Sequence, residues 1–130
     1  SYFALLNGWL QANPQAPHAA AVGKALKQLQ QATMWIATEG MKDAEQAGAA
    51  ATPYLRLFAL TSLAWFWSRM ALVATEQLAA GSSETAFYSA KLKSADFYVA
   101  RVLTESDGLL AEVLAGKASL MAFNEDEFAA

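Results

Sequence analysis

Apolar residues recur along this chain at spacings of three and four, and no stretch alternates with period two for long enough to make a strand. The pattern predicts an all-α fold. Its densest part is Thr52–Ala80, read as a long central helix. Thr52 can cap the N-terminus, Pro53 at the first helical position loses no useful N–H, and neither Gly nor Pro interrupts Tyr54 to Leu78. Apolar side chains lie all round this helix, with one seam at Leu63, Trp67 and Met70 and another at Phe58, Ser62, Trp65 and Arg69. A helix of that kind is expected to touch several neighbours.

The remaining elements follow from the same rhythm. Ser1 to Gln11 reads as a short helix with Phe3, Leu6 and Leu10 on one side, stopped by the Asn13–Pro17 stretch. A second helix is expected from His18 to Ala47, its seam being Val22, Leu26, Leu29, Thr33, Ile36 and Gly40. Lys24, Lys27, Gln28 and Gln31 form its solvated face, and Gly48–Ala51 is the expected connection to the central helix. Gly81 should end the central helix in a left-handed cap, with Ser82 or Ser83 capping the next. That third long helix runs to Thr104 through Tyr88, Leu92, Ala95, Val99 and Val102, widened by Phe87, Ala90 and Phe97. Asp107-Gly108 weakens it, and Leu109, Leu110, Val113 and Leu114 make a shorter piece closed by Gly116. One or two amphipathic turns and an acidic end, Asn124 to Phe128, finish the chain. The expected architecture is an antiparallel, four-helix-bundle-like domain over residues 1–130, with three long helices and shorter flanking ones.

Composition narrows the function. The chain has 130 residues, 55% of them hydrophobic, and a net charge of −3, so it carries no electrostatic footprint for nucleic acid. The run Leu57 to Trp67 contains Thr61 and Ser62 and is closed by Ser68 and Arg69, so a core helix is expected and not a membrane span. The absence of cysteine suits a cytoplasmic protein. A start at Ser1, without Met and directly inside an apolar run, is expected of a piece of a longer chain.

Candidate chemistry is sparse. His18 is the only histidine and reads as an exposed first-turn residue. Glu39 and Asp43, four apart on a helix, could hold a cation weakly, but no Glu-x-x-His pair, phosphate loop, serine-nucleophile motif or dinucleotide fingerprint accompanies them. No catalytic, cofactor-binding or metal-binding residue is assigned. The positions singled out are Tyr54, Arg56, Trp65, Trp67 and Arg69, as interface or buried-charge candidates. The aromatics are expected mainly as core facing Trp35, Phe87 and Phe97. Each arginine is expected in an ion pair, with Glu39, Asp43, Glu76 and Asp96 as available partners.

At the central helix the chain resembles the C-terminal helical domain of a subset of acyl-CoA dehydrogenases. The resemblance rests on Ala51-Thr52-Pro53-Tyr54-Leu55-Arg56-Leu57-Phe58 and the continuation to Trp67-Ser68-Arg69-Met70-Ala71. It extends through Phe87, Ala90, Lys91, Ala95, Phe97 and Tyr98, and through Ser119-Leu120-Met121-Ala122 with the acidic residues and Phe128 that follow. It covers the chain from about Val22 onward. Ala59 stands where that family usually has Gly. The resemblance implies a parent flavoenzyme that desaturates acyl-CoA with FAD and a glutamate base, both housed in preceding domains. No family catalytic residue falls on this sequence, so the chain alone is expected to bind neither FAD nor acyl-CoA. Its expected partners are the dehydrogenase core domains and a second copy of itself. Self-association as a two-fold dimer is expected because Pro14 and Pro17 cut the first helix off from the bundle. The alternative is a free-standing bundle that works by protein–protein docking.

Overall fold

A computed structural model describes residues 1–129; Ala130 and the side chains of Phe128 and Ala129 lie outside the described part. All regular structure among the described residues is helical: α1 (Tyr2–Ala12), α2 (Ala19–Lys42), α3 (Ala44–Ala79), α4 (Thr85–Phe97), α5 (Glu105–Ala115) and α6 (Glu125–Ala129). A π turn over Tyr98–Val102 links α4 to α5.

α2 and α3 run antiparallel: Thr33 meets Tyr54 near one end, and the Pro17 carbonyl meets Ser68 near the other. α4, the π turn and α5 return along α3 in the opposite sense, joined to it by Tyr98–Leu60 and Arg56–Glu105. The short α1 lies beside α3, with Tyr2 stacked on Phe58 at 4.6 Å between ring centres and Trp9 edge-on to Trp65 at 6.5 Å. This is the expected antiparallel all-α bundle. α1 is not cut off from it: Leu6 is completely buried, and the Tyr2 hydroxyl lies 2.7 Å from Ser62 Oγ.

The central helix starts nine residues earlier than the sequence pattern predicts. Asp43, not Thr52, is its N-cap, accepting from the Glu45 N–H at 3.0 Å. The expected Gly48–Ala51 connection is helical, because its alanines have the highest helix propensity and outweigh one glycine. Pro53 therefore stands inside the helix, where it removes the bond to the Ala49 carbonyl. The turn from α2 into α3 consists of Asp43 alone. Gly40 permits it, since a Cβ there would come 3.0 Å from the Ala47 Cβ.

α3 ends as expected, in a Schellman motif: Ser82 N–H donates to the Gln77 carbonyl, Gly81 N–H to that of Leu78, and Gly81 has φ +81°. Neither serine caps α4. Glu84 occupies that position without a side-chain cap, and Ser82 Oγ accepts from the Glu84 N–H instead. Asp107-Gly108 lies within the first turn of α5 and interrupts nothing. The interruption falls at the π turn, where Leu103 N–H reaches back five residues to the Tyr98 carbonyl. Up to it, Ala95 and Tyr98 are buried at helical spacing; beyond it, burial resumes at Leu103, Ser106, Leu109 and Val113. The expected seam of Val99 and Val102 is only half-buried.

The α2 seam packs as predicted, with Val22, Leu26 and Leu29 buried. On α3 the buried stripe is Leu57, Leu60, Thr61, Ala64, Ser68, Ala71 and Ala74. The predicted Leu63, Trp67 and Met70 seam is not core: Leu63 and Met70 are exposed, and Trp67 is half-buried against the cluster. By length and composition α3 passes as a candidate membrane span, a test that core helices also pass. Thr61 and Ser68, which face other helices, and the Arg56 pair fit the core-helix expectation.

Pro53→Ala should stabilise the protein. It restores the backbone bond to Ala49 and removes the ring clash, against a smaller entropy gain in the unfolded chain. A net gain of about 1–2 kcal/mol is expected, read as a higher urea midpoint at unchanged slope.

Candidate functional site

The polar contacts of the bundle concentrate at helix ends. At the α2–α3 corner, Lys117 Nζ is held by the Asp43 carboxylate and lies 3.1 Å from Glu45 Oε2, while its backbone N–H donates to Gln46 Oε1 at 2.8 Å. Gly116 turns the chain into this clasp with φ +72°. That backbone conformation, with ψ −167°, is what requires glycine; the 2.9 Å approach of a Cβ to Gln46 Oε1 meets only the tip of a flexible side chain. The bond to Lys117, and then the one to the Glu45 N–H, hold the Asp43 carboxyl below its usual range. Asp43 and, in the same clasp, Glu45 raise Lys117. The cation near Glu39 and Asp43 is thus a lysine of the chain itself, while Glu39 pairs with Lys42 at 3.6 Å.

His18 is not simply exposed. It takes a left-handed conformation, φ 64°, just before α2, and its Nε2 lies 2.7 Å from Asp96 Oδ1. On the outer side of α2, Gln28 Nε2 donates to Asp107 Oδ1 at 2.5 Å and Lys24 Nζ lies 3.2 Å from the same oxygen. Those contacts, Gln28 first, lower the Asp107 pKa.

The five singled-out residues do not converge. Tyr54 is a strut: the Thr33 hydroxyl donates to the Leu29 carbonyl at 2.7 Å, so the Tyr54 hydroxyl must donate to Thr33, at 2.8 Å. Arg56 is exposed and pairs with Glu105, both Nε and Nη2 lying 2.8 Å from Oε2. Its partner is thus none of the expected Glu39, Asp43, Glu76 and Asp96. Trp65 has its Nε1 buried with no hydrogen-bond partner among the described residues. Trp67 packs at the core margin. Arg69 makes no ion pair among the described residues; its guanidinium lies over Trp65 at 4.8 Å and Phe66 at 5.8 Å. Phe87 and Phe97, expected in the core opposite these aromatics, are exposed, whereas Trp35 does pack on it.

Among the open apolar concavities are two that border candidate residues. One, of about 370 Å³, runs between α3 and α4 and is lined by Phe66, Met70, Val73, Phe87 and Tyr88, with Arg69 and Lys91 at its edge. The other, of about 390 Å³, lies near the α2–α3 corner beside Ile36, Ala47, Tyr54 and Leu55. Exposed Met34, Met41 and Leu55 belong to the same two helices near that corner. No group of three metal-ligating side chains forms among the described residues.

The sequence model of the family described as acetyl-CoA dehydrogenase C-terminal like matches residues 2–124. The match begins at Tyr2 and so includes α1, which carried little of the motif resemblance. No curated protein matches the chain.

Two measurements check these contacts. The Tyr98 hydroxyl donates to the Leu60 carbonyl at 2.7 Å, and burial, then the Glu105 charge, push its pKa up to about 12. Since that value is raised on folding, its contribution is whole below the ordinary tyrosine pKa of about 10 and is lost as pH climbs towards 12. An ultraviolet phenolate titration should show a late step that Tyr98→Phe removes. Trp67→Ala should cost about 1–3 kcal/mol in a urea melt, below the range for a fully buried tryptophan.

Proposed function

The chain belongs to the acetyl-CoA dehydrogenase C-terminal-like family, and on that premise we propose that it is the non-catalytic helical domain of an FAD-dependent acyl-CoA dehydrogenase. Its role is to pack against the catalytic core or an oligomer partner in the cytoplasm. The family match over residues 2–124 carries this reading. Leu55, which lines the groove near the α2–α3 corner, and the exposed Met34 and Met41 of α2 support it as a docking surface for the core.

The residues of this chain do not fit the flavin itself. An FAD site needs backbone N–H groups turned onto a pyrophosphate at a helix start. The longer helices instead begin at His18, in a left-handed turn and bonded to Asp96, and at Asp43, whose carboxylate is held by Lys117. The two grooves described above are apolar and lie between helix surfaces, without such a cradle. The flavin and the base that removes the α-proton of the acyl-CoA therefore belong to the parent's other domains.

The test is expression of the complete reading frame that contains this chain, beside the isolated chain. The complete product is expected to copurify with flavin and to oxidise acyl-CoA with an artificial electron acceptor; the isolated chain should carry no flavin. Met34→Glu and Leu55→Glu should lower the melting temperature of the complete enzyme while leaving that of the isolated chain within about 1 °C. A reading frame lacking a dehydrogenase core, or flavin retained by the isolated chain through gel filtration, would overturn the assignment.

A further inference from the structure

Ala59, Leu63, Phe66, Met70, Val73 and Gln77 follow one another along α3 at spacings of four and three. That is the seam of a two-stranded coiled coil. Yet all six are exposed, including Leu63 at 47%, Phe66 at 48% and Val73 at 50%. They lie on the side of α3 away from its buried stripe, so one helix carries a packed face and an open face with the rhythm of a packed one.

Charge at the edges of the seam indicates what covers it. Arg69 and Glu76 immediately precede the seam residues Met70 and Gln77, one heptad apart on the same flank. Both are exposed, and neither joins any ion pair among the described residues. The other flank, at Trp67 and Ala74, is turned into the bundle: Ala74 is fully buried and Trp67 half-buried. In a parallel pair the open flank would meet the flank already occupied. In an antiparallel pair, like flanks meet, and opposite charges one heptad apart then face each other twice.

We propose that this face of α3 is the contact surface for a second copy of the chain. The two α3 helices pack antiparallel about a two-fold axis centred between Met70 and Val73. Met70 then lies on the partner's Val73 and Phe66 beside the partner's Gln77. Arg69 faces the partner's Glu76, and Glu76 the partner's Arg69. The adjoining groove of about 370 Å³, with Phe87 on its α4 side, receives the edge of the incoming helix. The surface is separate from the Met34, Met41 and Leu55 area assigned to the dehydrogenase core, and the inference does not rest on that assignment.

Sedimentation equilibrium of the whole chain tests it, at about 100 μM, where mass action favours association. The expected mass is 27.8 kDa, twice 13.9 kDa. Met70→Glu should give a monomer with unchanged helical circular dichroism, because Met70 is already 37% exposed. Arg69→Glu or Glu76→Arg alone should weaken the dimer about tenfold, attraction turning to repulsion at two exposed pairs. The two together should restore wild-type affinity, an effect that added salt diminishes. A wild-type monomer, a dimer indifferent to Met70→Glu, or a double variant no tighter than the singles would overturn the proposal. None of these outcomes involves flavin or the core, so failure here leaves the family-based reading untouched.

Discussion

The bundle depends on α3 presenting nothing bulky over nearly four turns where its neighbours cross it. Thr61, Ala64, Ser68, Ala71 and Ala74 are all fully buried. Small side chains let helix backbones approach closely, and the close approach is what fills the interior without voids. The two hydroxyls in this strip do not weaken it: Thr61 donates to the Leu57 carbonyl at 2.9 Å and Ser68 to the Pro17 carbonyl at 2.6 Å. The Ser68 bond also fixes where the chain leaves the α1–α2 turn. Large aromatics cannot enter such a strip, so Phe58, Trp65 and Trp67 sit along its margins, where α1 and the α4 side can cover only part of each ring. The half-exposed aromatic fringe is a consequence of the narrow core.

Polar contacts play the complementary part. The ion pairs gather where helices begin and end: Asp43 with Lys117 at the α2–α3 corner, His18 with Asp96 at the start of α2, and Arg56 with Glu105 at the start of α5. Each joins residues distant in the chain, and each is at least partly open to solvent. Exposed pairs contribute little energy individually, so their role is to set register between elements already held by apolar contact. Other charges, Arg69 and Glu76 among them, stay outside any ion pair among the described residues. The domain therefore presents outward apolar surface edged with charge.

The fold was legible wherever one local rule acted alone. The three-four rhythm located Val22, Leu26 and Leu29, and the glycine after α3 located its Schellman end at Gly81. It was misread where two rules competed. Thr52-Pro53 carries a helix-start signal, yet the alanines before it propagate the helix from Asp43, and one lost backbone bond does not stop it. Ionic partners were not legible, because pairing of Arg56 with Glu105 depends on how the returning helices align with α3. Nor could amphipathicity separate the two faces of α3. Leu63 and Met70 satisfy the same spacing as the true core, and only the positions of α1, α2 and α4 decide which face is covered.

The π turn at Tyr98–Val102 has a consequence for how this chain can vary. It accommodates one residue beyond an unbroken α-helix, and the excess is taken up before α5 begins. Deleting a single residue there would turn the five-residue step from Tyr98 to Leu103 into a helical step of four, giving a continuous rod with Leu109 and Val113 still facing the interior. Adding one would instead rotate all that follows by about 100°, carrying Leu109 and Val113 away from the interior and Glu105 away from Arg56. This short segment should therefore lose a residue more readily than gain one.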